Sequence, residues 1–313
     1  MRPINGIHHI TLITGDAPRN VDFYARVMGL RLVKKTVNQD DPSVYHLYYS
    51  DENGSPGANI TFIEDPGAAR GRAGAGMVSS IIHRVASEAA LHFWSERLRI
   101  EGVELAHEPS RLAFADPEGM RHELAIIPAD DEPLIARSTE VPAEYALQGF
   151  EAVRARVADV IPSEAWLRDV LALTELTDHD WEARGVERGA RILFEETSER
   201  GVPGAGTVHH IAWSIYRADQ GEWEQRVSEA GGHPTPIVDR FYFESVYFRE
   251  PGGILSELAT LDGAAFTVDE SFETMGEMLS LPPPYESLRE KLERSLTPLP
   301  DIRQWRPAPV TSE

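Results

Sequence analysis

Two histidine pairs occupy nearly identical settings in this chain. Ile7-His8-His9-Ile10-Thr11-Leu12 lies at the start, and Val208-His209-His210-Ile211-Ala212-Trp213 lies two-thirds of the way along. The second pair is followed by Glu250-Pro251-Gly252-Gly253-Ile254-Leu255-Ser256-Glu257-Leu258, a turn signal leading into an apolar strand that carries one carboxylate. Side chains alternate faces along a strand, so each pair sends one imidazole to either side of its sheet. One histidine from each pair and Glu257 can therefore meet on one face. Two neutral imidazoles and a carboxylate leave the opposite coordination positions open, which suits non-haem Fe(II) or Mn(II) acting on O₂. A buried Glu257 among Ile254, Leu255 and Leu258 needs such a counter-charge, because an unpaired buried carboxylate is costly.

The elements that must position these groups repeat four times. Residues 7–13 read as a strand. Asp16 follows as an N-cap, and Val21, Phe23, Tyr24, Val27 and Met28 form a helical apolar face stopped by Gly29. Strand-like runs come next at 30–37, 43–49 and 58–64, giving a β-α-β-β-β unit. The pattern restarts after the Gly/Ala/Arg stretch 67–76, with a strand at Met77–Val85, a helix at Ser87–Gly102 and strands near 103–107, 110–116 and 121–127. It restarts again at Gly149-Phe150, with a helix near 162–171 and strands near 172–179, 181–187 and 190–196. The fourth unit has strands at 207–216, 234–238, 241–248 and 254–260 and a helix at 218–230. Asp116-Pro117-Glu118-Gly119-Met120-Arg121-His122-Glu123-Leu124 matches the Glu250–Leu258 stretch, and the four unit starts align with one another. The expected fold class is α+β, with four βαβββ modules in two cup-shaped mixed sheets. The expected domains are 1–135 (modules 4–66 and 76–128), 146–262 (modules 146–198 and 206–262) and a tail, 263–313, with an amphipathic helix around 284–295.

Counting donors decides the pairing of modules. Where modules one and four carry His-His, module two has Ser79-Ser80 and module three Glu151-Ala152. Cups built from modules one plus two and three plus four would each hold one histidine and one glutamate. A cup shared by modules one and four holds two histidines and Glu257, and leaves Glu123 as a structural residue of the other cup.

Composition narrows the partners. The chain has 313 residues, 42% of them hydrophobic, so it can bury a sizeable core. Its net charge is −21, with 51 acids against 30 bases, which disfavours nucleic acid and anionic membrane surfaces. It has no cysteine, so thiolate ligands, disulfides and cysteine nucleophiles are excluded. No signal-peptide pattern or membrane-length apolar run is present, and a cytoplasmic protein, assembled as a homo-oligomer, is the expectation.

These features resemble the vicinal oxygen chelate superfamily. More narrowly, Gly6–Thr11, Val33-Lys34-Lys35-Thr36, Tyr45-His46-Leu47-Tyr48-Tyr49, Gly54-Ser55-Pro56-Gly57 and Tyr242–Phe248, with Arg249, Pro251-Gly252-Gly253 and Glu257, look like the hydroquinone-type ring-cleaving extradiol dioxygenases. The likeness runs from residue 4 to about 295. It implies that His9, His210 and Glu257 are the metal ligands. His8 and His209 would line the substrate pocket as catalytic groups, with Arg240 and Tyr247 near the bound aromatic and Thr11 contacting substrate. The implied metal is Fe(II), with Mn(II) as the alternative, and the implied partners are a small aromatic diol and O₂. His46 reads as structural, and Arg240 has a surface pair with Asp239 as its competing role.

Two other functions carry distinct requirements. A glyoxalase-like isomerase or lyase using Zn(II) or Ni(II) generally needs a fourth protein ligand, and Asn59-Ile60-Thr61-Phe62-Ile63 offers no carboxylate or histidine for it. A resistance-type binding protein of the same fold would not need a complete metal triad.

Overall fold

The computed structural model describes residues 1–307, so the last six residues of the expected tail lie outside the described residues. Sixteen strands form two eight-stranded sheets. Module one supplies β1 (Ile7–Thr14), β2 (Arg31–Val37), β3 (Tyr45–Ser50) and β4 (Asn59–Glu64). Module two supplies β5 (Met77–Val85), β6 (Leu105–Glu108), β7 (Arg111–Ala115) and β8 (Arg121–Ile126). Module three supplies β9 (Phe150–Val157), β10 (Thr174–Thr177), β11 (Asp180–Arg184) and β12 (Gly189–Glu196). Module four supplies β13 (Val208–Ile215), β14 (Val238–Asp239), β15 (Glu244–Arg249) and β16 (Leu255–Thr260).

The first sheet runs β14-β15-β16-β13-β1-β4-β3-β2, and the second runs β10-β11-β12-β9-β5-β8-β7-β6. Modules one and four thus share one sheet, and modules two and three share the other, as the donor count requires. In the first sheet the join is the antiparallel pair β1–β13, flanked by the parallel pairs β1–β4 and β13–β16. The other faces are covered by helices. Helix α1 (Ala17–Val21) runs into a π-helical stretch, Asp22–Val27, and Asp16 caps it by accepting from the Arg19 N–H. Helix α2 (Glu88–Ile100) packs on β6–β8, α3 (Val160–Asp169) on β12 and α4 (Gln220–Glu229) on β16. The core between the layers buries Trp94, Trp181, Trp213 and Trp223 completely, each a large apolar payload.

Proline chemistry reshapes two expected elements. The strand expected at 234–238 is only Val238–Asp239, because Pro234 and Pro236 have no N–H to give to a ladder. The tail helix expected around 284–295 begins as a 3₁₀ stretch, Pro283–Leu288, and becomes α-helical only in α5 (Arg289–Ser295). Successive prolines disfavour the α-region for the residue before each.

Between β16 and α5, residues 262–281 form a strap across the first sheet. Ser280 N–H donates to the Lys35 carbonyl, which covers the edge strand β2. Gly276 (φ +79°) passes so close that a Cβ there would lie 1.8 Å from the Leu32 carbonyl oxygen, so only glycine fits. The strap is anchored by Lys34, which is fully buried. Its Nζ donates to the Phe266 carbonyl (3.0 Å) and to Ser280 Oγ (3.2 Å), and pairs with Asp269 (2.7 Å) and with Glu270.

Candidate metal centre

The register of the first sheet sets the site. His9 lies opposite Ala212, Ala212 opposite Glu257, and Glu257 opposite Tyr247, so these four share one row across β1, β13, β16 and β15. In the neighbouring row Thr11 lies opposite His210 and Thr61, and Thr61 opposite Tyr48. Directly opposed residues point to the same face, so both rows look into one cavity. Ala212 stands between His9 and Glu257, and its small side chain leaves a gap between them.

Three donor atoms converge over that gap. His9 Nε2 is 3.3 Å from His210 Nε2 and 3.2 Å from Glu257 Oε2, and His210 Nε2 is 2.8 Å from Glu257 Oε2. Donors held at right angles about 2.1 Å from one metal ion would stand about 3.0 Å apart. Glu257 is fully buried. Its Oε1 accepts from Ser245 Oγ, while Oε2 meets only the two imidazoles. A buried carboxylate oxygen facing two imidazole nitrogens fits a cation, and among the described residues this is the one cluster of donors that could hold a metal ion. Burial alone would push the Glu257 carboxyl up, but His9 and His210 beside it hold it well below the usual carboxylate range.

The first histidine of each pair stands behind the second. His8 Nδ1 is 2.9 Å from His9 Nδ1, and His209 Nδ1 is 2.8 Å from His210 Nδ1. They differ in where they face. His209 is exposed at the cavity mouth. The β1–β13 register slips between Ile7 and His9, a bulge at His8. His8 is buried against Phe243 (ring centroids 5.1 Å apart) and lines a separate cavity with Asn59 and Tyr242 rather than the one above the trio. Burial pushes its imidazole down to about 3.

The cavity above the trio is narrow, about 60 Å³. Thr11, Arg240 and Tyr247 all line it. The Tyr247 ring meets His210 edge-on at 5.6 Å, and burial, then Glu257, raises its hydroxyl above the ordinary range. Arg240 pairs not with Asp239 but with Asp40 across the mouth, at 3.3 Å, and donates from Nε to the Tyr247 hydroxyl at 3.2 Å.

One cavity wall differs from the sequence reading. His46, read as structural, faces the cavity with Tyr48, the two rings tilted against each other with centroids 4.3 Å apart. His46 Nδ1 contacts the Tyr48 hydroxyl (3.1 Å), His46 Nε2 contacts Thr61 Oγ1 (3.0 Å), and Thr61 Oγ1 contacts Thr11 Oγ1 (2.9 Å). The signal was available: period-two alternation puts His46 and Tyr48 on the face opposite Tyr45, Leu47 and Tyr49. Gln39 and Asp40, on the connection between β2 and β3, carry no comparable signal.

The second sheet holds the same carboxylate without a metal-like trio. Its row runs Glu123, Ile82, Ala152, in the places of Glu257, Ala212 and His9. Ser80, opposite Arg154, stands where His210 stands opposite Thr11. Glu123 accepts from Ser80 Oγ (3.0 Å), Arg154 (2.8 and 3.2 Å) and Arg111 (3.1 Å). Guanidinium groups supply the counter-charge there.

The comparisons with known proteins agree with this architecture. A protein of Bacillus subtilis (strain 168) named "Putative ring-cleaving dioxygenase MhqA" is 38% identical over 95% of this chain and 99% of its own length. The chlorohydroquinone/hydroquinone 1,2-dioxygenase of Sphingobium indicum is 32% identical over 94% of this chain and 96% of its own. The crystal structure of a dioxygenase from Bacillus subtilis, itself titled putative, superposes with a TM-score of 0.88 at 38% identity, covering 96% of this chain and 99% of that one. Glyoxalase I of Zea mays, at 15% identity and a TM-score of 0.57 over 82% of this chain and 92% of that one, shares the fold. The model of the Glyoxalase/Bleomycin resistance protein/Dioxygenase superfamily matches residues 6–124 and 149–258. With its paired βαβββ modules and with relatives aligned over nearly its whole length, the chain belongs to that superfamily.

Proposed function

We propose that this protein is an Fe(II)-dependent ring-cleaving dioxygenase that inserts O₂ into an aromatic diol of the hydroquinone or catechol type, with His9, His210 and Glu257 as the metal ligands. The observation that carries this reading is the convergence of three donors, and only three, on one side of an otherwise open cavity floor. Thr61 lies opposite Thr11 on β4 as Glu257 lies opposite Ala212 on β16, so it stands where a fourth acidic or imidazole ligand would close the site. Its absence favours a centre with free positions over the closed four-ligand site of an isomerase. Mn(II) satisfies the same donor set.

When bound, the metal would supply Lewis acidity toward a diol hydroxyl and an electronic path from the ring to O₂. The chain's own residues do the rest. For His9 Nε2 to offer a lone pair, its proton must sit on Nδ1, from which it donates to His8 Nδ1; His210 donates to His209 in the same way. These outer partners fix tautomer and ring orientation. Tyr247 keeps its phenolic proton and can donate it in a hydrogen bond at the cavity wall. Arg240, held by Asp40, steadies that hydroxyl and puts positive charge where negative charge would develop. His46 and Tyr48 form an aromatic wall beside the ring. Both atoms of O₂ enter the ring-opened product, so no external reductant is required.

The test is O₂ uptake by anaerobically Fe(II)-loaded protein given hydroquinone, methylhydroquinone and catechol. Uptake with at least one diol is expected, falling at least about a hundredfold in His9→Ala, His210→Ala and Glu257→Ala together with metal content. Full metal occupancy with no uptake from any diol would refute the reading.

A further inference from the structure

The cavity above the trio is lined by one cationic side chain, Arg240, and it is already engaged. Arg240 Nε donates to the Tyr247 hydroxyl, and its two terminal nitrogens reach the two Asp40 carboxylate oxygens, each at 3.3 Å. Asp40 lies between β2 and β3, whereas Arg240 lies between β14 and β15, so the ion pair spans the mouth. The loop carrying Asp40 is tied in place. Gln39 Nε2 donates to the Arg240 carbonyl (2.8 Å), and the Tyr285 hydroxyl donates to the Gln39 carbonyl (2.8 Å). No lysine and no second arginine lines the cavity among the described residues.

The consequence falls on the charge of the ligand. A diol bearing a carboxylate must find a cation or accept the cost of an unpaired anion in a confined space. Here it would face Asp40 at the mouth and a net charge of −21 over the whole protein. An uncharged diol bears neither cost. Asp40 is 74% exposed, so its pair with Arg240 adds little to folding. Its effect on an incoming anion is a through-space repulsion together with the occupation of Arg240.

We propose that Asp40 is a specificity-determining residue, restricting the cavity to uncharged aromatic diols by occupying the outer edge of Arg240. This rests on the ring-cleaving reading of the same cavity.

The experiment compares hydroquinone with 2,5-dihydroxybenzoate, in kcat/KM and in anaerobic binding to the Fe(II)-loaded full chain. The wild type is expected to discriminate against the carboxylated diol. In Asp40→Asn the ratio of anionic to neutral diol, in either measurement, is expected to rise about five- to tenfold, as removing one unit charge a few ångströms away implies. The gain should shrink as salt is added. Asp40→Glu should keep the wild-type ratio, which a merely structural role for the loop would not ensure. A ratio unchanged in Asp40→Asn, or a wild type that binds both diols equally, overturns the proposal. Absence of O₂ uptake from both of these diols and from catechol would sink the proposed function but leave charge discrimination readable in the binding arm.

Discussion

Ala212 shows how one small side chain can define a site. It lies in the row between His9 and Glu257, fully buried, and its lack of bulk leaves the gap over which three donor atoms meet. The matching place in the second sheet holds Ile82, so a β-branched side chain fits that sheet geometry. Ala212→Ile is therefore expected to fold, at a cost of about 1–3 kcal/mol for overpacking, while its metal affinity falls at least tenfold; metal content after dialysis checks this. A second residue-scale prediction concerns pH. The Asp116 carboxyl accepts from the Tyr24 hydroxyl (2.9 Å) and from the Glu118 and Met120 N–H groups, and burial pushes it up to about 6. Its folded value lies above its unfolded one, so its contribution favours folding below about pH 4 and is lost as pH rises through 6. Asp116→Asn can keep both backbone contacts through Oδ1 and donate from Nδ2 to the Tyr24 hydroxyl, which can donate to His122 instead, without ionising. Its stability relative to wild type should rise by about 2–3 kcal/mol between pH 4 and pH 7.5, read by urea unfolding at each pH. A variant that tracks wild type in parallel would contradict it. At this scale the sequence was most informative where a residue type is chemically unusual in its setting. His-His on an apolar strand and Glu257 amid leucines both stand out, whereas for His46 alternation gives the shared face with Tyr48 but only strand register shows that this face looks into the cavity.

At the scale of elements, capping and turn chemistry is legible in the sequence, whereas Pro234, Pro236 and Pro282–Pro284 reshape elements that the apolar pattern alone would extend. Met77–Val85 was read to the residue, and Ser87 caps α2 through a bond from the Ala90 N–H (3.2 Å). The strap at 262–281 left no periodic signal, because its order comes from anchors on other elements rather than from its own pattern. Lys34 is the main anchor, fully buried against Asp269 and Glu270, which are themselves mostly buried. Lys34→Ala would strand two acids in a protected site, a loss of about 3–5 kcal/mol. The strap carries Phe266, packed against Tyr48 (5.4 Å) and Tyr242 (5.2 Å) at the cavity's back wall. The expected signature is a lower Tm and new proteolytic cleavage confined to 262–281; a variant with wild-type Tm and no new cleavage would show that the strap is held elsewhere.

Across the whole molecule, the ends of the chain build one sheet and its middle builds the other. That topology was reachable from donor counting alone, since only a sheet joining modules one and four assembles two histidines and a glutamate. What donor counting could not supply was the content of the other sheet, where ionic contacts among distant residues decide the arrangement. The two sheets amount to an internal control: one carboxylate, at one strand position, neutralised by two different means. Arginine at the Thr11 position, isoleucine at Ala212, alanine at His9, serine at His210 and a second arginine at Ser245 are what the second sheet uses. Transplanting that set as Thr11→Arg, Ala212→Ile, His9→Ala, His210→Ser and Ser245→Arg should yield a chain that binds no metal and unfolds at the same temperature with or without chelator, whereas metal-loaded wild type should lose several degrees of Tm when its ion is stripped and Glu257 is left facing two bare imidazoles. The protein thus carries the blueprint of its own inert twin, and the distance between an enzyme and a plain scaffold in this architecture is five side chains on three strands of one sheet.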